Sequence, residues 1–245
     1  MKNKPTLFTV LSPALFHLYD LTNTVVVIID VFRATSTIAA AMYNGAARII
    51  PVADVEECKR IGSITDNSIT AGERDGKVIE GLQYGNSPAE YPRSFIEGKT
   101  LVLTTTNGTK LLHLALESGA ADVVTGSFPN LSAVCNHLIA LNKNVVLGCS
   151  GWKDRFNLED TLFAGAVISK VKDHFTIHCD SSLMAENMYA LHKNDLFNFI
   201  QQTTHWHRLS AYGLEKDLQY CVSADVANVL PVYRNGGLEV LNCEC

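Results

Sequence analysis

Val25-Val26-Val27-Ile28-Ile29-Asp30-Val31-Phe32-Arg33-Ala34-Thr35-Ser36-Thr37 opens with five consecutive β-branched aliphatic residues and then turns polar. An unbroken apolar run of this kind reads as a strand covered on both faces, as in a parallel sheet. The run stops at Asp30, and Ile38-Ala39-Ala40-Ala41-Met42 beyond it reads as a helix that Gly45 ends. A carboxylate, a guanidinium and the hydroxyls of Thr35, Ser36 and Thr37 therefore gather where a strand hands over to a helix N-terminus. In open α/β sheets ligands bind at that edge, and a helix N-terminus attracts anions. Capping accounts for Asp30 or Thr35 alone, but not for an acid and an arginine together. A functional site is expected here, with Asp30 and Arg33 catalytic and Arg33, Thr35 and Ser36 binding an anion.

Outward from this stretch the pattern repeats. Leu7 to Leu11 reads as a strand, with Ser12-Pro13 opening a helix. Arg48 to Val52 reads as a strand whose Pro51 suits an edge or end position, followed by a helix capped by Asp54. Thr100 to Thr104 is a buried strand running into Thr105-Thr106-Asn107-Gly108-Thr109 and a helix to Glu117. The hydroxyls and amides of that turn could cradle an anion, although the G-x-x-x-x-G-K-[ST] spacing of a Walker A loop is absent. Ala121 to Thr125 is a further strand and Leu131 to Leu141 a helix. Asn144 to Cys149 is a third strand, leading through Ser150-Gly151-Trp152 to a helix that begins near Glu159 and Asp160. Such β-α alternation predicts a three-layer α/β/α fold with a mostly parallel or mixed sheet.

Two charged segments fall between these units. Gly72-Glu73-Arg74-Asp75-Gly76 reads as a turn, and Gly85-Asn86-Ser87-Pro88 as a second one that starts a helix. The loop between them is long for a compact domain, and long loops that persist tend to carry function. From Phe175 onward the chain reads as short helices, then a closing hairpin from Val229 to Leu241. His178, His192, His205 and His207 share no helical face and are expected at the surface or in caps.

Composition narrows the classes. The 245 residues suit one α/β domain, or two intimately packed α/β halves. A net charge of −5 with no basic block predicts no nucleic-acid partner. No apolar run approaches the roughly 20 residues needed to span a bilayer, and the segment after Met1 does not read as a signal peptide. A soluble cytoplasmic protein is expected, and a homo-oligomer is left open. The seven cysteines include no CxxC pair. Cys58, Cys135, Cys149 and Cys221 read as small core residues rather than disulfide partners. Cys243 and Cys245, with His205 and His207, match no standard zinc spacing.

Collected at one sheet edge, Asp30, Glu73, Glu159 and Asp160 would offer oxygen ligands, with Glu73 joining the catalytic group. Arg33, Arg74, Asn86, Ser87, Thr105, Thr106, Asn107, Gly108, Thr109 and Gly151 would surround a small anionic, phosphorylated substrate. Oxygen-only ligands suit Mg²⁺, and a cation and arginine converging on one anion serve phosphoryl transfer by neutralising charge.

The ordered motifs D-V-F-R-A-T-S-T (Asp30–Thr37), G-E-R-D-G (Gly72–Gly76), G-N-S-P (Gly85–Pro88), T-T-N-G-T (Thr105–Thr109) and C-S-G-W through L-E-D to A-G (Cys149–Gly165) together resemble the 2-phosphosulfolactate phosphatase family. The later Y-G-L-E-K-D-L-Q-Y-C (Tyr212–Cys221) and V-L-P (Val229–Pro231) also fit its pattern. Phe32 and Ser36 stand where the family pattern leads one to expect Leu and Thr. The resemblance implies a three-layer α/β fold and Mg²⁺-dependent hydrolysis of 2-phospho-3-sulfolactate to 3-sulfolactate and phosphate, toward coenzyme M.

Three rivals stand beside this reading. A phosphatase of the same fold could act on another small phosphorylated hydroxy acid. A non-catalytic anion-binding domain is disfavoured, because carboxylates beside an anion site repel the anion unless a cation intervenes. A thiol phosphatase using Cys149 is the third, with Arg155 following at the C-x₅-R spacing; it ranks last because Cys149 sits in an apolar context that reads as a core thiol. The D-x-D-x-T/V pattern of phospho-aspartate phosphatases is absent, with Phe32 at the second acid's position. Asp30 is therefore expected to bind a cation or orient water rather than attack phosphorus itself.

Overall fold

A computed structural model describes residues 4–177 and 179–241. His178, Cys243 and Cys245 lie outside the described residues. In chain order the elements begin with β1 (Thr6–Val10), β2 (Thr24–Ile29), α1 (Ala34–Tyr43), β3 (Arg48–Pro51), α2 (Val55–Ile64), β4 (Ser68–Arg74) and β5 (Lys77–Val78). Then follow α3 (Arg93–Ile96), β6 (Thr100–Thr104), α4 (Gly108–Glu117), β7 (Asp122–Gly126), α5 (Leu131–Leu141), β8 (Asn144–Cys149), α6 (Leu158–Val171) and β9 (Thr176–Ile177). The C-terminal part holds α7 (Asp180–His192), α8 (Leu196–Ile200), α9 (Thr204–Ser210), α10 (Glu215–Cys221), β10 (Pro231–Arg234) and β11 (Gly237–Val240). The fold is a three-layer α/β architecture around one mixed, mostly parallel sheet.

The strands lie in the order β5-β4-β6-β3-β11-β10-β7-β2-β8-β1-β9. β4, β6 and β3 run parallel to one another, and so do β7, β2, β8, β1 and β9. The hairpin β10–β11 pairs antiparallel with β7 on one side and β3 on the other. What the sequence suggests as a closing hairpin is thus the middle of the sheet. It reverses strand direction between two parallel halves, supplying the pairing edge that each half would otherwise expose.

β2 is buried along its whole length, and its side chains divide between two cores with the strand's period of two. Val25, Val27 and Ile29 join the core under α5 and α6, while Val26 and Ile28 point into the core of α1 and α4. That second core also takes Leu101 and Leu103 of β6, so α1 and α4 are packed between strands of both halves.

Several local expectations are revised. β3 is interior, and only the end position suits Pro51, the strand's last residue. Gly72, Glu73 and Arg74 belong to β4 rather than to a turn; the turn is Asp75-Gly76 alone, both with positive φ (52° and 82°). The helix expected after Ser12-Pro13 is a single 3₁₀ segment, Pro13–Leu18. α9 was not legible, because seven residues give too few turns for an apolar period to declare itself.

Candidate active site

The polar residues that end β2, β4, β6 and β8 converge on one narrow cleft. Asp30, Arg33, Glu73, Asn86, Thr106 and Asn107 line it, together with Phe32, Asp75, Gly76, Trp152, His205, Arg208 and Leu209. Six of the residues expected from the sequence are therefore on its wall. The cleft also depends on α9, which no strand-end argument indicates.

Asp30 is buried where β2 ends. Burial, with Glu73 and Glu159 nearby, pushes its carboxyl up to about 6, against the opposing pull of His205 and the Ala34 N–H. Gly108, at the start of α4, approaches it so closely that an added Cβ would lie 3.0 Å from Asp30 Oδ2. The starts of α1 and α4 thus face each other across this carboxylate. Glu73 is fixed from below: its Oε1 accepts from Thr106 N–H (3.0 Å) and Thr106 Oγ1 (2.9 Å), and its Oε2 from Gly76 N–H (2.9 Å).

Arg33 is buried in a network that holds it still. Nη1 donates to Asp217 Oδ2 of α10 at 2.7 Å, and Nη2 to the Gly76 carbonyl at 3.2 Å. Ser87 Oγ donates to the other Asp217 oxygen at 2.8 Å, so Ser87 steadies the arginine's partner rather than meeting a ligand. Asn86 is buried with its Oδ1 unpartnered, and its amide is a polar group still free at the cleft.

Other expected donors are turned away. Thr35 Oγ1 donates to the Asp30 carbonyl (2.9 Å), Ser36 Oγ to the Val31 carbonyl (2.9 Å) and Thr109 Oγ1 to the Thr105 carbonyl (2.7 Å). These hydroxyls spend their protons on backbone carbonyls of the segments leading into α1 and α4, a local bond that competes with ligand binding. Thr105 Oγ1 accepts from the Thr109 N–H. Arg74 donates to the Glu73 carbonyl and Thr104 Oγ1, and with Thr105 and Thr109 it faces a separate cavity beside Lys110 and His113.

The two acids of α6 have different surroundings. Asp160 accepts from Val31 N–H (2.9 Å), Gly151 N–H (3.0 Å) and Ser150 Oγ (3.3 Å), so it laces the ends of β2 and β8 to the start of α6. Burial first, then Glu159 and Asp30, raise its carboxyl well above the usual range. Gly151 contributes its N–H at φ +58, where an added Cβ would meet the Arg155 carbonyl oxygen at 2.1 Å. Glu159 is fully buried, with Oε1 bonded to His205 Nδ1 and Oε2 without a partner. His205 is therefore no surface histidine: it is buried against Phe32, with ring centroids 5.8 Å apart. Among the described residues, no three His, Cys, Asp or Glu side chains form a ready-made metal cage. Cys149 is fully buried, and burial followed by Asp160 and Glu159 pushes its thiol well up, which removes the thiolate a thiol phosphatase requires.

His205 and Arg208 were missed because α9 is short and lies far along the chain from the other cleft residues. Asp217 had one signal, its place in the family-like segment Tyr212–Cys221.

A buried acid, an arginine fixed by an ion pair and two facing helix starts gather at the strand ends of this α/β fold, as in an enzyme that acts on a small anion. The family model described as 2-phosphosulpholactate phosphatase matches residues 10–236. A probable 2-phosphosulfolactate phosphatase of Caldanaerobacter subterraneus subsp. tengcongensis is 36% identical over 89% of this chain and 90% of its own. Proteins given the same name are similar in Clostridium acetobutylicum (36% identical, 87% of this chain, 91% of that one) and Thermotoga petrophila (38%, 86%, 89%). The chain belongs to the 2-phosphosulpholactate phosphatase family, and it is a phosphoric monoester hydrolase. Among the described residues no helix is long and apolar enough to cross a membrane.

Proposed function

We propose that this chain hydrolyses 2-phospho-3-sulfolactate to 3-sulfolactate and phosphate with Mg²⁺ as cofactor, in the cytoplasm, as a step toward coenzyme M. The observation that carries the reading is the buried Asp30, set beside Glu73 and facing the starts of α1 and α4. Such a carboxylate repels an anion on its own, so the helix starts and the acid serve one ligand only when a cation joins them. Mg²⁺ takes one or two carboxylates and completes its shell with water and phosphate oxygens, so the lack of a three-residue cage is compatible with it. Asp30 and Glu73 would hold the ion from the cleft wall, with the unpartnered Glu159 Oε2 buried behind them. When bound, the cation supplies neutralisation of the charge on the transferring phosphoryl group.

The chain's own residues do the rest. Arg33, held by Asp217, presents a fixed positive charge to the phosphoryl oxygens. Asn86 and the α4 start offer neutral donors, and Asp30 orients the attacking water. Direct attack by water is favoured over an aspartyl phosphate because Phe32 occupies the second acid's place in the phospho-aspartate pattern. Among the described residues the five cysteines are free and mostly buried thiols, which suits a reducing compartment.

The test is phosphate release from 2-phospho-3-sulfolactate and from a panel of phosphorylated hydroxy acids, with EDTA and with added Mg²⁺. Release that chelation abolishes and Mg²⁺ restores supports the proposal. Undiminished activity after exhaustive chelation removes the metal role. Preference for another acid in the panel moves the substrate to the rival reading.

A further inference from the structure

Arg208 stands on the wall of the cleft, half-buried, in α9. Its guanidinium carbon lies 4.1 Å from the centroid of the Trp152 ring, and the indole also carries Lys153 Nζ at 4.7 Å. Arg33 is anchored by one bond from each terminal nitrogen, to Asp217 and to the Gly76 carbonyl, whereas Arg208 is not. Among the described residues Arg208 has neither an ion pair within 4.0 Å nor a hydrogen bond, and its guanidinium lies over the Trp152 ring.

Burial lowers its affinity for its proton, while Glu73, Asp75 and Glu159 raise it again. A guanidinium nevertheless keeps its charge in proteins. An aromatic face fixes the plane of the guanidinium and leaves its edge free, and that edge forks onto two oxygens of a planar or tetrahedral oxyanion. A partly desolvated cation at a cleft, oriented but unpaired, is stabilised by an incoming anion.

Asp30 lines the same cleft, close to Glu73 and the starts of α1 and α4. The surfaces of Phe32, Trp152 and Leu209 lie on the same wall and suit a short carbon frame.

We propose that Arg208, lying over Trp152, binds a non-reacting acid group of the substrate, a sulfonate or carboxylate, while the phosphoryl group sits at Asp30. The proposal rests on the reading of this cleft as a phosphatase site for a monoester with further anionic groups. It makes α9 the element that selects among phosphate esters, leaving the chemistry to the strand ends.

The experiment compares wild type with Arg208→Gln and Arg208→Lys on 2-phosphosulfolactate, on 2-phospholactate, which lacks the sulfonate, and on phenyl phosphate, which lacks both acid groups. Arg208→Gln is expected to raise KM for 2-phosphosulfolactate on the order of 10–100-fold, with kcat changing much less. Its loss in kcat/KM on that substrate should exceed its loss on phenyl phosphate at least tenfold. A loss shared by 2-phospholactate identifies the carboxylate as the bound group; a loss confined to 2-phosphosulfolactate identifies the sulfonate. Equal losses on all three esters would place Arg208 on the phosphoryl group and overturn the proposal, as would no loss on any. Should Arg208→Gln fail to fold, Arg208→Lys keeps the charge without the planar fork and must show the same selective rise in KM. If wild type ignores 2-phosphosulfolactate, the substrate reading fails by itself. The same comparison is then read on whichever phosphorylated acid it turns over.

Discussion

The residue-scale question is what keeps Arg33 in place. A buried arginine needs a partner, and Asp217, 184 positions away, provides it at 2.7 Å. Removing one member of a buried pair leaves the other charge uncompensated, at about 3–5 kcal/mol. Asp217→Ala should therefore lower the urea unfolding free energy by about that amount, and a variant as stable as wild type would show that the pair is not a structural anchor. Arg33→Ala should cost about 2–5 kcal/mol of transition-state stabilisation, read as kcat/KM on the folded protein. Near-normal kcat/KM would make this arginine structural. Asp30→Asn should abolish turnover, and rapid-quench mass spectrometry of the wild type should find no phosphorylated enzyme. A phosphoryl adduct on Asp30 would replace direct water attack by a covalent route.

Elements meet most tellingly where β7, β10 and α5 join. Burial pushes the Asp122 carboxyl up, but His137, whose Nε2 lies 3.4 Å away, and the hydrogen bond from Arg234 Nη1 (2.6 Å) outweigh it and pull the group down from 3.8 to about 2. A carboxylate whose folded pKa is depressed contributes stability above its unfolded pKa and loses it as pH falls through the folded value. The link between hairpin and sheet should hold above about pH 4 and fade toward pH 2, where at most about 2 kcal/mol is lost. Comparing urea midpoints of wild type and Asp122→Asn at pH 6 and pH 2.5 reads this directly: the gap between them should shrink at the lower pH. A gap that stays constant would assign the interaction no ionic part.

On the scale of the whole molecule, the hairpin decides whether the two parallel halves are one unit. Leu238 of β11 is fully buried in the core that also holds Val26, Ile28, Leu101 and Leu103. Leu238→Ala should cost about 2–5 kcal/mol within a single unfolding transition, because the core it weakens belongs to both halves. Two separate transitions, by fluorescence and by circular dichroism, would instead show two domains that unfold on their own.

By itself the sequence determined most of the strands, most helix starts and the strand ends that carry chemistry, but not the two-residue β5 and β9. Five β-branched residues before Asp30 admit little except a covered strand, and Asn107-Gly108 and Gly151 mark turns that local geometry requires. Periodicity and turn chemistry are local, and they survive in a linear reading. Which hydroxyls face a ligand was not legible: Thr35, Ser36 and Thr109 are spent on backbone carbonyls just before their helices, and nothing in their spacing separates such a local bond from a ligand donor. Nor could the sequence place the hairpin at the centre of the sheet or bring His205, Arg208 and Asp217 to the cleft. Those placements follow from burying one sheet's two faces and pairing its open edges, conditions that only the folded chain satisfies as a whole.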